Sequence, residues 1–181
     1  LGKTALLQQV KEKENNPKAG TVVAFVSIYG LGRNARPAEI WASMSREMTA
    51  IFKGEPVKTA QAFGSAVERW LEGDSRRRIL VLLDEADEFI RADAALGFRE
   101  FMPLQRLMDS SSRRFKFVLA GLNNVTRLVH TENPPLKQIA SDPQRIGPLM
   151  GDELVDAELL VTRPLAALGF EFERREDVWR V

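Results

Sequence analysis

Apolar positions along this chain fall into two kinds of run, and the two kinds alternate. Residues 21–29 (TVVAFVSIY) and 79–83 (ILVLL) are short, continuous and rich in β-branched or aliphatic side chains, with no regular polar face. Such runs predict strands buried on both sides, as in a parallel sheet. Residues 115–120 (FKFVLA) predict a third strand. Helical spacing fills the intervals. Residues 3–14 place Ala5, Leu6, Leu7 and Val10 on one side and stop at Asn15-Asn16-Pro17. Residues 37–53 open on Pro37 and carry Ile40, Trp41, Met44, Met48 and Ile51 three or four apart. Further helices are expected over 59–72, with Phe63, Val67, Trp70 and Leu71, over about 98–109, and briefly over 122–129. The stretch 131–143 reads as loop, and 145–149 as a short piece of edge strand containing Pro148. Residues 152–168 predict an amphipathic helix with Leu154, Ala157, Leu160 and Leu168 on one face and Pro164 placed to kink it. The alternation predicts an α/β fold with a mostly parallel sheet. A boundary near 149–152 divides it into a core over 1–150 and the start of a helical lid over 151–181.

Composition narrows the function classes. Hydrophobic residues are 44% and charged residues 28% of 181, ordinary values for a globular domain. The formal net charge of +1 gives no bulk pull on polyanions, leaving only a local basic patch for DNA. The chain has no cysteine and one histidine, His130, which excludes disulfides, thiolate metal sites and multi-histidine sites within it. No apolar run approaches the ~20 residues of a membrane span, and no leader pattern is visible, so the expected setting is cytoplasmic.

Three places carry chemistry. Gly2-Lys3-Thr4 opens a helix. Backbone N–H groups at a helix start, a Lys for the β/γ-phosphates and a hydroxyl for Mg2+ are what a phosphate-binding loop needs. The tripeptide alone equally fits a frayed helix end with a solvated lysine. Asp84-Glu85 follows directly on the 79–83 strand. There Asp84 is fixed to hold magnesium and Glu85 to polarise an attacking water. The alternative is a strand returning to solvent through acids, which Asp87 and Glu88 continue. Asn123-Asn124 follows the third strand, where a polar tip can reach a γ-phosphate, or simply cap a turn. Asn123 is nearer the strand end.

The order Gly2-Lys3-Thr4, then Leu82-Leu83-Asp84-Glu85-Ala86-Asp87, then Leu119-Ala120-Gly121-Leu122-Asn123-Asn124 resembles P-loop ATPases of the AAA+ superfamily. The later segments Asn133-Pro134-Pro135-Leu136, Ile146-Gly147-Pro148-Leu149 and Leu168-Gly169-Phe170 look like the STAND-type members, relatives of replication-initiator ATPases. The resemblance implies a three-layer P-loop NTPase core with a parallel sheet, followed by a helical lid. It implies ATP and Mg2+ as ligands, with Gly2, Lys3, Thr4 and Asp84 binding them and Thr4 and Asp84 on the metal. Glu85 would then be catalytic, and Asn123 would sense the γ-phosphate. It also implies a strand and a first half-loop upstream of Leu1, so that the 181 residues alone are expected to be unstable or to aggregate. Arg127 and Arg145 are candidates for an arginine contact by position only. The string Leu83-Asp84-Glu85-Ala86-Asp87 also spells the second motif of DEAD-box helicases. Leu119-Ala120-Gly121 stands where those enzymes carry Ser-Ala-Thr, which argues against them.

The expected function is ATP binding and slow hydrolysis coupled to a conformational switch or to self-association. Two alternatives remain, a DNA-associated ATPase and a degenerate interaction scaffold. The basic clusters Arg76-Arg77-Arg78 and Arg113-Arg114-Lys116 each precede a strand and read first as solvated loops.

Overall fold

The computed structural model describes residues 2–32, 35–121, 150–170, 172–174 and 178. The chain divides into two compact units, Leu1–Gln144 and Arg145–Val181.

The first unit alternates helices and strands. Helix α1 (Lys3–Glu14) leads through a 3-10 turn into strand β1 (Thr21–Ser27). Helices α2 (Pro37–Glu47), α3 (Thr49–Phe52) and α4 (Ala60–Glu72) precede β2 (Arg78–Asp84). Helices α5 (Asp87–Ala95) and α6 (Phe101–Ser110) precede β3 (Phe115–Leu119). The strands form one sheet in the order β1-β2-β3, all parallel, with Ser27 opposite Asp84 and Ile79 opposite Phe115. The fold is therefore α/β with a small parallel sheet.

Side chains alternate between the faces of a strand, and the core follows that alternation. Val22, Ala24, Val26, Ile79, Val81, Leu83 and Phe115 lie in the larger cluster, against Ile40, Trp41, Met44, Phe63, Leu71, Phe101 and Leu104 from α2, α4 and α6. Aromatic rings knit it together: Phe63 lies 5.3 Å from Trp41, 5.4 Å from Phe52 and 6.4 Å from Phe115 between centroids. Val23 and Leu82 point the other way and meet only Leu7 among buried residues. Among the described residues, α1 is the helix that covers that face. Of the expected α1 stripe, Leu7 is buried and Val10 half-buried, while Ala5 and Leu6 are exposed. Contact with one side of a narrow sheet engages fewer positions than the helical period offers.

The helix expected over 37–53 is split at Met48, whose backbone leaves the helical region. The buried Ser45 hydroxyl donates to the Ala42 carbonyl and accepts from the Val57 N–H, tying the chain beyond α3 back onto α2.

In the second unit, a 3-10 turn at Gly151–Glu153 leads into α7 (Leu154–Ala167), with Pro164 inside it. No residue of α7 is buried, and Leu154, Leu160 and Leu168 are exposed. Val155 and Leu159, which lie outside the expected apolar face, are exposed as well. The readings over 122–149 lie outside the described residues, as does Trp179. No helix among the described residues is long and apolar enough to cross a membrane.

Candidate functional site

The sheet's alternation decides where the chemistry meets. Counting from Val23 and Leu82, both Ser27 and Asp84 belong to the face that α1 covers, at the carboxyl ends of their strands. Helix α1 precedes β1 through a short turn and runs back along it, so its N-terminus arrives at that same end. Ligands of open parallel sheets gather there.

Gly2 caps α1 with φ 98°, and no side chain fills the cap. A left-handed φ is natural for glycine and strained for other residues. No acidic residue lies in the first turn, so among the described residues the helix start keeps its unpaired N–H groups and positive end. Lys3 is half-buried and has no hydrogen bond or ion pair among the described residues.

The Thr4 hydroxyl donates to Asp84 Oδ2 at 2.5 Å, across 80 positions of chain. Asp84 is 1% exposed. Its other oxygen accepts the Glu85 N–H at 3.0 Å, and its backbone carbonyl accepts the Ile28 N–H at 3.0 Å. Glu85 is exposed and holds φ 54°, left-handed for a residue with a Cβ. Such strain persists where surroundings fix it, and here they do. The Ser27 hydroxyl donates to Glu85 Oε2 at 3.3 Å and accepts the Gly30 N–H at 3.2 Å. The next strand closes the flank: the Ala86 N–H donates to the Ala120 carbonyl at 2.9 Å and the Ala120 N–H to the Leu83 carbonyl at 2.8 Å.

Thr4, Asp84 and Glu85 are thus brought together, with Gly2 and Lys3 on the same helix end. Asn123, Asn124, Arg127, His130 and Arg145 lie outside the described residues. Ser27 was missed in the sequence. It ends an apolar run just as Asp84 does, but a lone serine there signals nothing until the register sets it opposite Asp84.

A metal fits this donor set in one way. No group of three or more His, Cys, Asp or Glu side chains able to hold a metal occurs among the described residues. Magnesium does not require one, since it commonly takes one or two protein oxygens and completes its shell with water and phosphate. Thr4 and Asp84 supply that much.

Fold and site together define an α/β protein with a helix N-terminus, a hydroxyl and two carboxylates gathered at the strand ends. No protein-family model, curated protein or solved structure matches the chain.

Proposed function

We propose that the chain is the P-loop ATPase core, with the start of a lid, of a AAA+/STAND-type switch that binds ATP with magnesium and hydrolyses it. The observation that carries this reading is the contact between Thr4 and Asp84. Two oxygens suited to one magnesium ion meet beside a helix start whose first N–H groups and Lys3 have no partner among the described residues.

Lys3 and the first-turn N–H groups of α1 bind the β- and γ-phosphates. Thr4 and Asp84 hold the metal, which, when bound, neutralises charge developing on the phosphates. Glu85 orients and polarises the attacking water, and Ser27 keeps its carboxylate in place. Asn123 contacts the γ-phosphate. Nucleotide state then controls the arrangement of the lid or the pairing of copies.

The test is nucleotide binding and turnover in the full-length protein. Glu85→Gln retains ATP binding and loses turnover by roughly 100-fold or more, the usual worth of a positioned base. Lys3→Ala weakens ATP binding itself. Absence of magnesium-dependent ATP binding by the wild type removes the reading. Binding without turnover, unchanged by Glu85→Gln, assigns the chain to a scaffold instead.

A further inference from the structure

In a parallel sheet every segment that leads into a strand lies at the same end. Three basic segments of this chain do so: residues 12–18 before β1, 72–78 before β2 and 113–116 at the start of β3. Separated in sequence, they gather at one pole of the first unit, the end where the strands begin. Together they hold eight cationic side chains and four carboxylates, while the whole chain carries only +1. The net charge therefore conceals a polar distribution.

Not every cation there is free. Arg76 pairs with Asp74 at 3.0 Å. The Arg77 guanidinium donates to the Trp70 carbonyl at 2.7 Å and lies 4.9 Å from the centre of the Trp70 ring. Arg114 donates to the Leu71 carbonyl at 2.6 Å. Lys13, Lys18, Arg78, Arg113 and Lys116 are exposed and have no hydrogen bond or ion pair among the described residues. Register keeps these cations close. Arg78 stands opposite Thr21 and Lys116 opposite Leu80, and neighbouring strands lie about 4.8 Å apart. The candidate nucleotide site is at the other end of the strands, roughly 20 Å away over seven residues.

We propose that this pole binds the phosphate backbone of duplex nucleic acid. The character of the patch selects that partner. Protein interfaces centre on buried apolar or aromatic anchors, and no large apolar side chain among residues 12–18, 72–78 and 113–116 is exposed. Binding of single strands relies on aromatic platforms for the bases, and the same absence argues against it. What remains is a set of exposed cations without a reading head. Such a set meets the phosphates, not the bases, and takes sequence as it comes.

The test uses the protein without nucleotide, a fluorescent duplex of two unrelated sequences, and salt from 50 to 200 mM. Binding is expected to be independent of sequence, with log K falling against log salt at a slope of about −4 to −5 if all five cations engage. The triple variant Arg78→Glu, Arg113→Glu, Lys116→Glu abolishes binding. The milder pair Lys18→Gln, Lys116→Gln makes the slope shallower by about 2 and guards against misfolding of the triple variant. Reversals at Arg36 and Arg99, exposed at the starts of α2 and α6 and therefore at the opposite end of the strands, leave binding intact. No duplex binding at 50 mM salt, or equal loss in the control variant, overturns the proposal. So does preference for polyglutamate or anionic vesicles over the duplex.

Discussion

Asp74 and Asp93 are two carboxylates tuned in opposite directions by their neighbours. Asp74 lies on the surface, and hydrogen bonds from the Arg76 side chain and backbone lower its pKa from 3.8 to about 2. Asp93 is 2% exposed, and burial raises its pKa, although the Glu100 and Phe101 N–H groups it accepts pull the other way. The effects on stability have opposite signs. The Asp74 contribution is present above pH ~4 and is lost as pH falls toward 2. The Asp93 site favours the proton, so its contribution is full below the ordinary carboxylate range and is lost as pH rises through the raised value. Asp93→Asn keeps an acceptor and removes the titration. Its urea midpoint should gain on the wild type as pH goes from 4 to 7, and a constant difference would contradict the assignment. Asp93→Ala leaves the α6 N–H groups unmatched and should cost about 1–3 kcal/mol at any of these pH values. Neither carboxylate was prominent in the sequence. Asp84 and Glu85 were, because an apolar strand marks them. Asp93 receives its meaning from a turn in which Gly97 and Phe98 both take positive φ, which no periodicity announces.

Among elements, the strands were the most legible and the joints the least. The 79–83 run grew by one residue at each end, and the first strand stopped at Ser27 rather than Tyr29. Apolar runs mark burial, which sheets obey closely. The α2–α3 break at Met48 was hidden, because the stripe through Met44, Met48 and Ile51 fits one helix or two. The roles of Arg77 and Arg114 were hidden for another reason. Each caps carbonyls at the end of α4, and Arg114 also reaches the Asp74 carbonyl at 3.3 Å. A cation at a helix C-terminus is favourable, but only the tertiary fold brings the start of β3 to that helix end. Arg114→Ala should lower stability by about 1.5–3 kcal/mol, the range for hydrogen bonds with one charged partner. Arg113→Ala, one position away and exposed, should change it by less than about 0.5 kcal/mol. Equal losses on chemical denaturation would show that charge alone, not capping, matters there.

For the whole molecule, the α/β class with a parallel sheet was readable from alternation alone, while strand order was not. Order decides which edges are open, and the two edges differ. Beyond β1, Asn15 Oδ1 accepts the Val23 N–H at 2.9 Å, and Asn16 exchanges backbone bonds with Thr21 at 2.9 and 3.0 Å. Helices α1 and α2 pack on opposite faces of β1, and an ion pair between Lys11 and Glu47 joins them. That edge is largely closed. Strand β3 has no partner on its outer side among the described residues, and Val118 is 41% exposed. Edges of this kind invite pairing between chains unless charged or covered. Val118→Lys should therefore reduce light scattering on heating while shifting the unfolding free energy by less than about 0.5 kcal/mol. Unchanged scattering would place the sticky surface elsewhere.

The Asn15 side chain thereby acquires a role in counting. A sheet with two free margins can be extended without limit, each newcomer presenting a fresh margin to the next. Where one margin is spent on an asparagine, any further growth falls to the other margin alone. Two copies joined through β3 would expose only their closed β1 sides, and growth through the sheet would end at the pair.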